Sequence, residues 1–343
     1  MAMGYSGFAQ FYDGVTPVTL LVTGLNINPE LNPINSQSAV GYGWKNAADV
    51  SHYANGVINY RGSINFDMQG DTVWDAINKW ALTERVYSKS FLHSPDGTRI
   101  YSYGSGDTSV FSPADTWTNL SKTTRKGAWC EGFSLSTSQD SVVQATLNVM
   151  ALSRTETVLS GDGYFDNEEG YVAGDCEDFA LTNPLNPSQG NISPIVFWKT
   201  NARILIGGAD PDAAAETVQW NVDLQNSPQL IKGCNGLVKD GYGVASAVVM
   251  GPMQVSGSVQ LYKHSGVWDP VLTHPLYAET ASFEVEIDAG LSTLKVILPA
   301  IKLESESYDM NVQGPVYRTF NIKGLGGKCG TTAIQAPMIM TNT

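Results

Sequence analysis

The sequence predicts a mainly β, α+β chain built as two tandem β-sandwich or partial-barrel domains, each with a short helix. Three observations carry that expectation. Apolar and polar residues alternate with period two through most of the chain, the mark of half-buried strands. One stretch of each half repeats the other in the same order. Only 15% of the residues are charged, against ~25% in ordinary soluble domains, and Gly, Ser, Thr, Asn and Gln fill the gap. At 343 residues and 42% hydrophobic composition the chain has the length for two domains and the apolar content for real cores.

In chain order, Leu25-Asn26-Ile27 reads as a strand entering a Pro- and Asn-rich loop over residues 29–57. Gly62-Ser63-Ile64-Asn65-Phe66 reads as the returning strand. A helix is expected over residues 71–85, where Asp71 can cap and Val73, Trp74, Ile77, Trp80 and Ala81 form an apolar stripe. Residues 94–125 read as an exposed loop rich in Ser, Thr, Asp and Gly. Phe133 and Leu135, then Val143, Ala145, Leu147, Val149 and Ala151, mark a strand pair. Residues 160–194 hold seven carboxylates, no basic residue, and the turns Asn183-Pro184 and Asn186-Pro187, as a linker or surface excursion does.

The second half then repeats the pattern. Val222-Asp223-Leu224 precedes a loop over residues 227–252, and Gly257-Ser258-Val259-Gln260-Leu261 returns in phase with the strand at Gly62. Val73-Trp74-Asp75 recurs as Val267-Trp268-Asp269 with one residue of slippage. Phe283, Val285 and Ile287 form a hairpin with Leu294, Val296 and Leu298 across Asp288-Ala289-Gly290. Several matches in one order mark an internal duplication: a first domain over 1–159, the connecting segment 160–194, and a second domain over 195–343. Ile64, Phe66, Trp74, Val259, Leu261 and Trp268 are its expected core positions.

Composition and motif searches narrow the function. The chain carries 33 acidic and 20 basic residues, a net charge of −13 that repels nucleic acid. Cys130, Cys176, Cys234 and Cys329 form no CxxC pair, which fits free thiols in a reducing compartment. No N-terminal stretch resembles a signal peptide and no apolar run reaches the ~18 residues of a membrane span, so folding in a cytoplasm is expected. The four histidines stand apart, no Gly-x-Ser-x-Gly elbow occurs, and the glycines at 324–330 fail as a phosphate loop because Cys329 replaces its Ser or Thr. Asp162, Asp166 and Glu168 lack the register of a calcium loop. No enzyme, cofactor or metal is expected.

This order of elements resembles the phage tail tube fold over most of both halves. The likeness is strongest over residues 283–322, around Leu294-Lys295-Val296-Ile297-Leu298-Pro299. The resemblance implies a structural virion protein, a major tail tube subunit whose rings stack into a hollow conduit for the genome. Six tube domains to a ring would then come from three two-domain chains, a homotrimer with pseudo-sixfold symmetry. It also implies that the two long loops reach neighbouring subunits, through Pro29, Tyr42, Trp44 and Tyr53 in one and Pro228, Leu237 and Val244 in the other. The acidic positions Glu284, Glu286 and Asp288 would face the lumen. The implied partners are copies of itself, the tape measure, distal tail or baseplate and terminator proteins, and viral DNA in transit without specific binding, with no membrane. The implied location is the virion tail, assembled in the host bacterial cytoplasm. Two other readings fit the same pattern. One is a tail terminator or baseplate hub of related fold. The other is a carbohydrate- or receptor-binding β-sandwich using Trp44, Trp117 or Trp129.

Overall fold

Every described strand pair is antiparallel, the pairing that short connections and one-sided burial favour. The structure, a computed structural model, describes residues 8–12, 17–20, 22–31, 34–36, 52–54, 58–68, 70–78, 99–105, 120–159, 194–210, 213–231, 238–239, 242–243, 247–263, 281–290, 292–310, 315–328 and 334–343.

The first part of the chain gives β1 (Phe8–Tyr12), β2 (Pro17–Leu20), β3 (Val22–Leu31), β4 (Ile34–Ser36), β5 (His52–Ala54) and β6 (Ile58–Asp67). Helix α1 (Gly70–Asn78) follows, then β7 (Arg99–Ser105), β8 (Leu120–Ser138) and β9 (Gln144–Leu159). The second part gives β10 (Thr200–Ile206), β11 (Glu216–Gln225), β12 (Pro228–Ile231), β13 (Val238–Lys239), β14 (Tyr242–Gly243), β15 (Ala247–Met250) and β16 (Gln254–Tyr262). The chain closes with β17 (Ala281–Asp288), β18 (Thr293–Leu298), β19 (Ile301–Met310), β20 (Val316–Gly324), β21 (Gly327–Lys328), β22 (Ile334–Gln335) and β23 (Ile339–Asn342).

Eleven of these strands form one sheet. Eight of them run edge to edge as β3-β6-β9-β8-β11-β16-β20-β19. Strand β8 is 19 residues long and pairs with β9 on one side for most of its length. Its other side is shared, with residues 132–138 on β11 and residues 120–126 on β7. Strands β7, β1 and β2 thus extend an arm from the long β8–β9 hairpin. A second, four-stranded sheet has the order β10-β17-β18-β23.

The eight-stranded run contains one arrangement twice. In β3-β6-β9-β8 and in β11-β16-β20-β19, the first two strands are neighbours and the third in chain order lies outside the fourth. Each set carries a bulge in its first strand, between Val22 and Gly24 and between Thr217 and Gln219. Each also carries a bulge in its third, where the extra residue is Glu131 or Glu304. Strand β8 then pairs with β11, so that Leu135 faces Val222 and Phe133 faces Leu224. One contiguous core results. Ile64, Phe66, Leu147, Phe133, Val222, Val259 and Phe320 of the large sheet meet Phe283, Val285, Leu294 and Val296 of the small one. Helix α1 seals the same core with Trp74, wholly buried. It is tied to β23 by Asn78 Nδ2 donating to the Met340 carbonyl at 3.0 Å.

Several sequence expectations shift here. The helix runs from Gly70 to Asn78, and residues 79–98 lie outside the described residues. The expected loop at 94–125 contains β7, a seven-residue strand, because Ile100, Tyr101 and Tyr103 favour strand and find β1 and β8 to pair with. The two long loops begin and end in ladders, β4 with β5 and β12 with β15. The acidic segment 160–193 lies outside the described residues.

Candidate functional site

Period-two geometry gives the large sheet a second face, and its chemistry is unusual. If Ile64, Leu147, Leu135, Val222, Val259 and Phe320 point to the core, their neighbours point away. Read across the ladders, one row of those neighbours runs Gln144, Ser136, Asn221, Ser258, Asn321, Ser305. A second row runs Ser138, Gln219, Gln260, Thr319, Ser307. Neither row holds a charge or a large apolar side chain. Ordinary solvated sheet faces carry Lys and Glu; these two rows carry hydroxyls and amides, and the row beside them holds Asp223, Lys323 and Lys302.

These side chains also satisfy one another across strands. Thr146 Oγ1 donates to Asn65 Oδ1 at 3.0 Å and Ser258 Oγ to Asn221 Oδ1 at 2.8 Å. Gln260 Nε2 donates to Thr319 Oγ1 at 3.3 Å, and Asn321 Nδ2 to Ser305 Oγ at 2.7 Å. Cross-strand pairs of this kind hold the side chains in place and leave few free donors for a passing anion.

Charge enters near one end of the strands. Arg61 bridges Glu30 at 3.3 Å and Glu131, the bulge residue of β8, at 3.0 Å. Burial pushes the Glu131 carboxyl up from its usual value, with Arg61 pulling it down and Glu30 pushing it further up. Burial also raises the Asp223 carboxyl, between Ser134 and Ser256 in the ladder. On the core side of β19 and β20 the buried Arg318 binds Glu306 at 2.6 Å and lies over the Phe320 ring at 4.7 Å. Burial pushes the Glu306 carboxyl up, but hydrogen bonds from Arg318 and Tyr308 and the Arg318 charge bring it below its usual value.

The acidic residues expected to face a lumen belong to the smaller sheet. Glu284 and Glu286 are on β17 of the four-stranded sheet, on the face opposite the buried Phe283, Val285 and Ile287. Arg203 reaches Glu284 at 3.3 Å and Glu286 at 3.0 Å, and Lys295 reaches Glu286 at 2.6 Å. The Lys295 hydrogen bond is the main reason that the Glu286 carboxyl is held below its usual value. Asp288 ends the strand, accepting from the Gly290 amide at 2.7 Å.

Pro29 lies on β3 opposite Tyr60, with its side chain exposed. Tyr53 is in β5 opposite Asn35. Pro228, opposite Met250, is buried within the chain. Tyr42, Trp44, Leu237, Val244 and Trp268 lie outside the described residues. Ile64, Phe66, Trp74, Val259 and Leu261 are buried. Of the tryptophans considered for sugar binding, Trp129 is buried, and Trp44 and Trp117 lie outside the described residues. Trp198, 72% exposed, stands in a short 3-10 turn at Phe197–Lys199. The sequence does carry a signal for the polar face: the outward positions between 219 and 225 of β11, 254 and 262 of β16, and 317 and 323 of β20 hold only Ser, Thr, Asn, Gln, Asp, Lys and Tyr.

Strands β3 and β19, each ten residues long, close the two ends of the eight-stranded run. Among the described residues each has a ladder partner on one side alone. No group of metal-ligating side chains gathers among the described residues, and no described helix is long and apolar enough to cross a membrane.

Comparison with known proteins bears on this geometry. The family model described as phage tail tube protein matches residues 12–324. No curated relative matches the chain. Among solved structures, the SPP1 tail tube, determined by solid-state NMR and cryo-EM, is similar at 14% identity and a TM-score of 0.25. That likeness covers 38% of this chain and 75% of that one, and at such a score it carries no argument.

Proposed function

We propose that this chain, which belongs to the phage tail tube protein family, joins head to tail with copies of itself into rings that stack as a hollow conduit for the genome. As a tail tube protein it is a structural component of the virion tail. The finer reading is of two tube-like units, residues 1–159 and 195–343, joined by 160–194, with three chains to a ring.

The observation that carries this reading is the band of uncharged hydroxyl and amide side chains that crosses six strands of the large sheet. A wall that must pass a polyanion needs to stay wetted without offering cations, because each Lys or Arg that replaces a counterion adds salt-sensitive affinity. Hydroxyls and amides already bonded to each other meet both needs. We therefore assign the lumen to this face, and the ion-paired Glu284 and Glu286 to the outer layer.

The recurring strand order and the paired bulges support the two-unit reading, since bulges are features that persist in related sheets. Three chains at eight strands each make a wall of about 24 strands; at ~4.8 Å spacing and ~40° tilt its diameter is roughly 50 Å between backbones. The tape measure, terminator and distal tail proteins are the partners such a conduit would meet at its axis and ends.

Negative-stain microscopy of the purified protein, alone and with a tail-tip initiator, tests the reading. Regular hollow tubes with threefold symmetric cross-sections are expected. Rings that never stack would favour a terminator, and a chain that stays monomeric under all these conditions would overturn the proposal.

A further inference from the structure

The chain contains within itself a copy of the contact that would join it to its neighbour. We infer that β19 of one chain pairs antiparallel with β3 of the next, in the register that β8 and β11 already show inside a single chain. The inference rests on the ring reading above and specifies its joint.

Four observations lead there. The eight-stranded run is two sets of the same order, and the sets meet where the third strand of one, β8, pairs with the first strand of the other, β11. Among the described residues, the edges left over are the first strand of the first set, β3, and the third strand of the second, β19. These are the same two kinds of edge, so bringing them together repeats a contact the sequence already makes. A joint between unlike edges propagates head to tail and closes when its rotation allows. Finally, two ten-residue edges with no second partner among the described residues invite uncontrolled pairing in a chain without a designated partner.

The ladders fix the register. Gly62 faces Ile27 as Gly257 faces Val222, which equates Ile27 with Val222 and Asn28 with Asp223. The bulges at Glu131 and Glu304 equate Ser134 with Ser307 and Leu135 with Tyr308. Inside the chain Ser134 faces Asp223 and Leu135 faces Val222. Between chains, Ser307 therefore faces Asn28 and Tyr308 faces Ile27. Tyr308, 48% exposed in the single chain, gains an apolar neighbour. Pro29 falls opposite Glu306 and has no N–H to donate, so this edge is an incomplete template for a stray strand.

Within one chain the two positions lie at opposite ends of the eight-stranded run, far beyond disulfide reach. In the joint they are opposed, with α-carbons about 4.5–5.5 Å apart. Oxidation of assembled N28C/S307C protein should link most chains into a closed covalent ring, seen on a non-reducing gel. The out-of-register pair N28C/S305C should link about tenfold less, because diagonal neighbours are about 7–8 Å apart, and each single variant should give only the background of the native thiols. Hydrogen exchange gives a second measurement without substitutions: amides of β3 and β19 should slow on assembly. Tubes that form while N28C/S307C stays unlinked, or while exchange at both edges is unchanged, would overturn the joint and leave the tube reading standing. A chain that never assembles would overturn both.

Discussion

Gly62 and Gly257 stand at matching places in the two strand sets, each where a neighbouring strand crosses too close for a side chain. A Cβ at Gly62 would run into the Asn26 carbonyl, and one at Gly257 would lie 2.8 Å from the Asn221 carbonyl. The close approach, rather than any turn, explains why both copies of the Gly-Ser motif keep glycine. Gly62→Ala is expected to destabilise the chain by about 1–3 kcal/mol through overpacking, and Gly257→Ala by less; urea midpoints of the unassembled protein would measure both. Asp223 gives a pH-dependent counterpart. Its carboxyl is raised by burial, so the folded state penalises the charged form. The penalty is absent below the ordinary Asp value and is fully present above the raised one. Asp223→Asn should therefore raise the denaturant midpoint at pH 7 and leave it unchanged near pH 3. A midpoint gain of equal size at both pH values would show that the carboxylate charge is not the cause.

At the scale of elements, the bulges set which face each strand presents. Beyond the extra residue Glu131, β8 turns Phe133 and Leu135 to the core and Ser134 and Ser136 to the polar face. Deleting Ser134, which lies in the regular ladder, would slip part of the strand by one residue and carry Phe133 or Leu135 to the polar face. The expected outcome is loss of soluble, cooperatively unfolding protein, followed by circular dichroism and thermal melts. Deleting Asp140 in the β8–β9 turn, where φ is 62°, should be far milder, because that turn is exposed and no face is inverted. Elements were legible in the sequence where alternation was strong: the hairpin of β17 and β18, expected from Phe283, Val285 and Ile287, pairs Val285 with Val296 as an even register demands. The match between the halves was legible only to within two residues. The motif order sets Leu25 beside Val222, whereas the ladders equate Ile27 with Val222. A slide of two keeps every side chain on its face, so the apolar pattern alone cannot distinguish the two alignments.

For the whole molecule, the proposed function turns on the band of hydroxyls and amides across the large sheet. Placing cations there with Ser136→Lys, Asn221→Lys and Ser258→Lys together should make the assembled tubes retain duplex DNA, with a binding constant that falls steeply with salt. Unaltered tubes should retain little. Filter binding over a salt series measures the difference, and microscopy shows whether the retained DNA lies within the tube. Equal retention by both proteins would argue that this face is not the lumen.

By itself, the sequence determined the mainly β class, the strand pairs with strong alternation, and the tail tube likeness that the family match bears out over residues 12–324. Each of these rests on local order: a period of two, a repeated motif, a sequence of elements along the chain. The tertiary structure alone decided that β8 pairs with β11, that β3 and β19 are edges among the described residues, and that Ser, Thr, Asn and Gln positions of six strands line up in rows. Those relations are created by ladder register between residues far apart in the chain, such as Ser136 with Asn221 and Ser258 with Asn321, and no local pattern encodes them. The same reason explains Glu284 and Glu286. Alternation shows that they point away from a core, but only the packing of two sheets shows which layer they are on.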